Sequence, residues 1–486
     1  MGYRQPMPEP GGGAEVEAID AALREVYRPV LRPDGLPGEL PAPEARKLPP
    51  PGMVREVAER IAPRGALRHW RGDWYVYREG AWALTPPDTV HAWGSAVLSP
   101  CWFTDKDKSK PWAVTVRRLS DVLAFVALAD GVRVPSDLEP PIWLGREPDE
   151  YPGERIIVLS NCRLALPSRT VLPHDPAWFS PVGLPYSYDP EARCPTWERY
   201  VADKWGDQPE TIRTLRQWFG YLVSGRTDQH KALLLVGPTR SGKGTILLIM
   251  QALVGAANTA APTAAALGSN FGLQPLIGRS LATISDLRLD RRDAVRFTER
   301  ILSISGGDTL SIDRKYSTAW TGRLGVRFAI ATNVVPTMSD ASGAVASRFL
   351  ILEMTESHLG SEWTTVAHEL AAELPGILNW SLDGLDDLLA SGSFAVPEGQ
   401  AALANVMAAA ASSVSPFLDE CCRIGAGLRV PCAEMYEQYR KWAVGNGIEP
   451  MDAIRFGCEL KSVVPKLRRI RAGAERTYTY EGVALA

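Results

Sequence analysis

The sequence predicts an α/β fold: a parallel sheet covered by helices on both faces, preceded by a mixed α/β accessory region and followed by a winged-helix-like unit. Three observations carry this expectation. Three apolar strands, Ala232–Val236, Ser280–Ser285 and Arg327–Thr332, alternate with helical text, as a buried parallel sheet requires. The first of them runs straight into a glycine-rich turn and a new helix from Gly244 to Leu253. The last 60 residues or so read as two helices and a basic two-stranded ending.

At 486 residues the chain is too long for one ordinary core, and about three folding units are expected at ~150 residues each. Residues 1–52 hold Gly11-Gly12-Gly13 and the Pro-rich stretch Pro41 to Gly52, so a largely flexible arm is expected there. Residues 53–224 form the expected accessory domain. A helix to Ile61 leads into the aromatic hairpin Trp74-Tyr75-Val76-Tyr77 to Ala81-Trp82, read as hairpin core rather than as a stacking platform. Helical spacing follows from Trp112 to Gly131, short strands from Ile156 to Phe179, and two helices ending near Ser224. Residues 225–400 carry the parallel sheet, and residues 401–486 a linker helix and the winged-helix-like unit.

Composition excludes several classes. With 45% hydrophobic and 22% charged residues the chain reads as a globular protein. No apolar run approaches the ~20 residues of a membrane span, and Met1 to Pro10 lacks the order of a secretory signal, so no membrane role and a cytoplasmic location are expected. Seven cysteines without finger spacing, Cys421 and Cys422 adjacent on an apparent apolar helix, and six scattered histidines argue against a zinc or histidine-built metal centre. The net charge of −3 says nothing about nucleic acid, because a motor can be near neutral overall and basic locally.

The chemistry begins at Gly237-Pro238-Thr239-Arg240-Ser241-Gly242-Lys243-Gly244-Thr245, which fits the P-loop through its lysine. Glycines let several backbone N–H groups point into one concavity, the helix N-terminus adds partial positive charge, and Lys243 adds a point charge toward β- and γ-phosphates. ATP with Mg²⁺ is the expected cofactor pair. The hydroxyl expected directly after the lysine is missing: Gly244 stands there, and Thr245 becomes the candidate metal ligand.

The second strand ends at Asp286, a carboxylate at the carboxyl edge of a parallel strand that can hold Mg²⁺ or polarise water. The third ends at Asn333, whose amide can orient water, although an Asn before Pro336 also suits a plain turn. Arg348, just before another apolar strand, suits charge stabilisation across a subunit boundary, or an ordinary surface salt bridge.

Here a resemblance enters. Gly306-Gly307-Asp308-Thr309, Asp313-Arg314-Lys315-Tyr316, Ala331-Thr332-Asn333, Ser339-Asp340-Ala341-Ser342-Gly343-Ala344 and Arg348-Phe349, in that order, resemble the phage and plasmid primase-helicase family with a poxvirus-type superfamily 3 motor. Tyr188-Asp189-Pro190, Gly220-Tyr221 and Leu374-Pro375-Gly376-Ile377-Leu378-Asn379-Trp380 extend the likeness over roughly residues 65 to 486. The resemblance implies an AAA+-like superfamily 3 helicase core, a homo-oligomeric ring that is usually hexameric, and ATP hydrolysis between subunits during travel on single-stranded or forked DNA. It places Lys243 and Thr245 in Walker A, Asp286 in Walker B, Asn333 at sensor 1, Arg348 at the arginine finger, and Arg314 with Lys315 on a channel hairpin that grips phosphates.

Larger relatives carry a primase module. The ~60 residues before the aromatic hairpin are too Pro/Gly-rich to bury a catalytic core, so no primer synthesis is expected, and a separate primase or polymerase is a candidate partner. From Arg455 to Arg476 seven Lys/Arg face two Glu, a net of +5, which makes Lys466, Arg468 and Arg469 candidate DNA contacts; a basic packing domain is the plainer reading. Two rival functions remain: an ATP-regulated replication initiator that binds origin DNA without processive unwinding, and a P-loop enzyme acting on small molecules.

Overall fold

The structure, a computed structural model, describes residues 66–486 apart from 79, 100–101, 106–107, 112, 146–155, 288, 290, 316, 337, 339–343, 361–362, 364, 412–413, 465 and 473–476. The expected arm 1–52, the helix to Ile61, the Ser339–Gly343 part of the motif series, Tyr316 and Arg476 lie outside the described residues. The chain divides into two compact units, Met1–Asp149 with His174–Pro181, and Glu150–Pro173 with Val182–Ala486.

In the smaller unit the aromatic hairpin gains a strand. Leu67–Trp70, Asp73–Arg78 and Ala81–Thr85 form an antiparallel meander. Period-two alternation buries both its faces: Trp74 and Val76 join Val90, Leu119 and Val122 from the helices Pro87–Leu98 and Val116–Leu128, while Tyr75 joins Trp70, Trp82 and Phe179. Trp82 is fully buried and its indole N–H donates to the Trp178 carbonyl at 3.0 Å, so these rings are core.

The larger unit is built on a five-stranded, wholly parallel sheet in the order Thr259–Ala260, Leu281–Ile284, Arg327–Thr332, Ala232–Val236, Phe349–Glu353. The strand Ala232–Val236 shows why the apolar run was continuous: Leu233 and Leu235 face a core with Ile246, Met250 and Trp218, whereas Ala232, Leu234 and Val236 face another with Phe297, Ile301 and Leu267. Both faces are covered, as expected. Thr259–Ala260 is too short to leave a sequence signature.

Ser224, the expected end of the accessory domain, lies inside this unit, and so do the helices Pro195–Trp205 and Pro209–Val223. Pro209–Val223 crosses the helix Leu374–Ser391 at glycines: a Cβ on Gly220 would sit 2.4 Å from the Leu385 nitrogen, and one on Gly384 2.1 Å from the Arg216 carbonyl oxygen. Around the crossing Arg216 pairs with Asp383 at 2.5 Å and Arg213 with Asp387 at 2.8 Å. The carboxylate of Glu373 accepts the backbone N–H groups of Thr196 and Trp197, fixing the N-terminus of Pro195–Trp205.

The C-terminal part departs from expectation in one strand. Cys421 ends the helix Val414–Cys421, but Cys422 opens the strand Cys422–Pro431, so the two cysteines do not share a helix. The strand order is Cys422–Pro431, Thr477–Leu485, Arg468–Ala472, three antiparallel strands where the sequence suggested two. The helices Cys432–Gly445 and Ala453–Val463 fall where they were expected and bury Met435, Tyr439, Phe456 and Leu460 against Val430 and Val483.

Candidate nucleotide site and nucleic-acid surfaces

The glycine-rich loop joins the strand Ala232–Val236 to the helix Lys243–Val254 at the carboxyl edge of the sheet. Two of its glycines are dictated by close contact. A Cβ on Gly237 would lie 2.3 Å from the Met354 carbonyl oxygen, and Gly242, at φ 103°, would place one 2.3 Å from the Tyr200 hydroxyl. Arg240 also adopts positive φ, 62°, without being glycine.

The loop's carbonyls are drawn outward by donors from neighbouring segments. The Ser357 hydroxyl donates to the Thr239 carbonyl at 2.8 Å, the His358 N–H to the Arg240 carbonyl at 3.0 Å, and the Tyr200 hydroxyl to the Gly242 carbonyl at 3.1 Å. Tying these three carbonyls to outside donors is what a cradle of loop N–H groups for an anion needs. Lys243, only 8% exposed, folds onto this loop: its ammonium donates to the Gly237 and Pro238 carbonyls at 2.7 Å each and to Ser241 Oγ at 3.2 Å. Burial lowers its pKa, while the Asp286 carboxylate pulls the other way, so the two predicted residues share one electrostatic environment.

The next two strands complete the edge. Asp286 stands exposed two residues past Leu281–Ile284, and Asn333 exposed one residue past Arg327–Thr332. Backbone bonds tie these ends to the loop: the Gly237 N–H donates to the Thr332 carbonyl at 3.2 Å, and the Leu287 N–H to the Ala331 carbonyl at 3.1 Å. Lys243, Asp286 and Asn333 therefore converge.

Arg348 does not join them. It precedes the strand Phe349–Glu353, whose Phe349 pairs with Ala232 and Glu353 with Val236, so Arg348 sits at the amino edge. Six residue steps at ~3.3 Å each, from Arg348 to the level of Met354, put it about 20 Å from the glycine-rich loop. Its neighbours are at that edge: its guanidinium charge lowers the pKa of Lys231, after burial, and Arg348 Nη2 lies 3.9 Å from the Cβ position of Gly306.

Between Gly306 and the strand of Asn333 the chain makes the hairpin Thr309–Arg314 and Ser317–Arg323, rooted by buried Ile312 and Trp320. Lys315 occupies its turn and is exposed, and Arg314 Nε donates to the Thr318 carbonyl at 3.0 Å. Two residues that sequence reasoning missed meet this tip. Gln274 Oε1 accepts from the Lys315 N–H at 3.1 Å, and the Lys315 ammonium lies 5.7 Å from the ring centroid of Phe271, itself 42% exposed. No spacing rule links positions 41 to 44 residues apart, although an exposed Phe in a glycine-rich turn is a usable signal.

Thr245 departs from the simple metal-ligand picture. A Cβ at Gly244 would meet nothing within 4 Å, whereas the Thr245 side chain neighbours the Tyr200 hydroxyl. In the C-terminal part Lys466, Arg468 and Arg469 are all exposed. Arg469 and Arg471 lie 4.1 and 4.9 Å from the Tyr478 ring centroid, at a cleft of about 1390 Å³ that Lys461 and Arg468 also line.

Two stretches of the chain match known families. Residues 59–206 match the family described as D5 N terminal like, and residues 235–348 match a family of unknown function (DUF5906). A curated relative, the uncharacterized mitochondrial protein ymf21 of Marchantia polymorpha, is 28% identical over 79 residues; these cover 16% of this chain and 44% of that protein, so the chain spans less than half of its length. Among solved structures, the A form apo structure of the NrS-1 C terminal region is 12% identical, covering 86% of this chain and 97% of that one with a TM-score of 0.48. The apo structure of NrS-1 C terminal region residues 305–718 is 11% identical, covering 89% and 99%, with a TM-score of 0.49. No helix among the described residues is long and apolar enough to cross a membrane.

Proposed function

We propose that the chain is the ATP-hydrolysing helicase motor of a phage or plasmid replication protein, a superfamily 3 machine that works as a ring on single-stranded or forked DNA. The observation that carries the reading is the split between the two sheet edges. Lys243, Asp286 and Asn333 share the carboxyl edge while Arg348 stands at the amino edge, so Arg348 could serve such a site only from a neighbouring copy. The D5 N terminal like match over 59–206 supports the replication setting.

In this reading the loop N–H groups cradle the phosphates, and Lys243 exchanges its bonds to the Gly237 and Pro238 carbonyls for phosphate oxygens. Thr245 and Asp286 are hard oxygen donors that fit Mg²⁺, an ion commonly held by one or two protein oxygens plus phosphates. Mg²⁺ would supply charge neutralisation on the triphosphate. Asp286 polarises the attacking water, Asn333 orients it, and the neighbour's Arg348 stabilises charge on the departing phosphate. The exposed ammonium of Lys315, backed by Phe271, grips the DNA backbone without reading bases.

The test is complementation between defective copies. Lys243→Ala and Arg348→Ala chains should each lack DNA-stimulated ATPase activity, and an equimolar mixture should recover about a quarter of it, because one interface in four pairs an intact lysine with an intact arginine. Absence of recovery in mixed oligomers of normal mass would exclude the shared site. A chain that stays monomeric with ATP and single-stranded DNA, or whose turnover ignores DNA, would exclude the motor.

A further inference from the structure

The phosphate loop lacks a hydroxyl where its chemistry wants one. Gly244 follows Lys243, and the space its side chain would fill is open for 4 Å. Thr245 comes one residue later on the helix Lys243–Val254, rotated by about 100° around the helix axis, so its hydroxyl does not inherit the vacant direction. Something else has to fix it.

Tyr200, on the helix Pro195–Trp205, is placed to do so. Its ring is 6% exposed and stacks on Trp197 at 6.0 Å and 17°, and the Glu373 carboxylate holds the N-terminus of its helix, so the hydroxyl has little freedom. That hydroxyl donates its proton to the Gly242 carbonyl at 3.1 Å and can therefore only accept from Thr245. The Thr245 proton is thus directed at Tyr200, and the lone pairs of its oxygen point elsewhere. This is the arrangement a metal-ligating hydroxyl needs, because it binds through lone pairs and must give its proton to an acceptor.

We propose that Tyr200 is a positioning residue for the divalent cation: it anchors the phosphate loop at Gly242 and orients Thr245, so that a threonine one place late serves as the oxygen ligand. The proposal rests on the reading of this loop as a triphosphate site. It makes the nucleotide site depend on a helix that lies within the D5 N terminal like segment.

The experiment uses the full chain, a non-hydrolysable fluorescent ATP analogue and a Mg²⁺ titration, reading analogue binding rather than turnover. Tyr200→Phe keeps the ring and its packing. It should raise the Mg²⁺ concentration for half-maximal binding on the order of tenfold, the usual size of an outer-layer metal effect. Metal-free affinity should fall by no more than one neutral hydrogen bond carries. Thr245→Val should produce a similar Mg²⁺ shift and the double variant no further one, because both act through one oxygen. Adding Gly244→Ser to Tyr200→Phe should restore the wild-type Mg²⁺ dependence by returning a hydroxyl to the open position. A wild-type Mg²⁺ dependence in Tyr200→Phe, or additive shifts in the double variant, would overturn the proposal while leaving the phosphate site intact. A wild-type chain that fails to bind the analogue would overturn the phosphate-site reading, and this inference with it.

Discussion

Gly384→Ala separates two physical effects by sign. The residue lies inside the helix Leu374–Ser391, where alanine is intrinsically preferred to glycine by about 1 kcal/mol. Propensity alone therefore predicts a more stable protein. The structure predicts the reverse: the new Cβ would lie 2.1 Å from the Arg216 carbonyl oxygen and 2.4 Å from its carbon, against 3.4–4 Å for ordinary contact. Both are backbone atoms and cannot swing aside, so the helices Pro209–Val223 and Leu374–Ser391 must part by more than an ångström. Overpacking of this kind costs roughly 1–3 kcal/mol. The Arg216–Asp383 and Arg213–Asp387 pairs, both more than a third exposed, add only a few tenths when stretched. Separation also loosens Trp218 and Trp380 in the core beneath. With the propensity gain subtracted, a net loss of about 0.5–2.5 kcal/mol remains, a fall in Tm of one to several degrees. Thermal unfolding followed by tryptophan fluorescence reads it, with Gly244→Ala as the counter-case, since that helical glycine faces open space and its substitution should raise Tm slightly. An unchanged or higher Tm for Gly384→Ala would refute the close crossing.

Three further outcomes follow from the same geometry. Lys315→Ala should leave basal ATPase nearly intact while abolishing strand displacement on a forked substrate, and equal unwinding by this variant would remove the hairpin from the DNA path. Gly237→Ala, whose Cβ would meet the Met354 carbonyl at 2.3 Å, should weaken nucleotide-analogue binding at least tenfold, because the loop must shift to admit it; unchanged affinity would mean that the loop is not held at that contact. Burial raises Cys194 and Cys422 from 9.0, and Tyr221 and Tyr480 from 10.0, to about 12. The unfolded chain therefore releases these protons first as pH rises, so stability should be full below about pH 9 and decline toward pH 12, seen as a lower urea midpoint at about pH 10.5 than at about pH 8.

Much of the fold was legible because its strands are buried on both sides. Ala232–Val236 and Arg327–Thr332 read as unbroken apolar runs with the bounds the structure gives. Cys422–Pro431 was not legible: only Val430 is buried in a strand that carries Gly425 and Gly427, and the apolar text of the preceding helix ran into it. At the candidate site, the shared edge of Lys243, Asp286 and Asn333 was legible because parallel strands bring their carboxyl ends to one side of the sheet. Tyr200 was hidden, since an aromatic on an amphipathic helix looks like core, and its ring is core; only the hydroxyl reaches the loop. Phe271 and Gln274 were hidden because their relation to Lys315 exists only after folding.

Under the proposed motor reading, the position of Arg348 also gives the hairpin a mechanical meaning. The helix Arg291–Gly306 ends at the amino edge, where His230 contacts the Ser305 carbonyl at 2.7 Å and Arg348 approaches Gly306. The chain then makes the Lys315 hairpin, enters the sheet at Arg327 and arrives, six residues or about 20 Å later, at Asn333 on the carboxyl edge. The hairpin is thus spliced between the edge that would complete a neighbour's site and the edge that would hold a copy's own nucleotide. Arg327 anchors the point of entry: fully buried, it donates to the Leu222 and Gly325 carbonyls at 2.6 Å each and ties the strand to the end of Pro209–Val223. In that reading, the shortest link from Asn333 to Lys315 is the strand Arg327–Thr332 and the second arm of the hairpin, whereas Arg348 meets the same segment through space at Gly306.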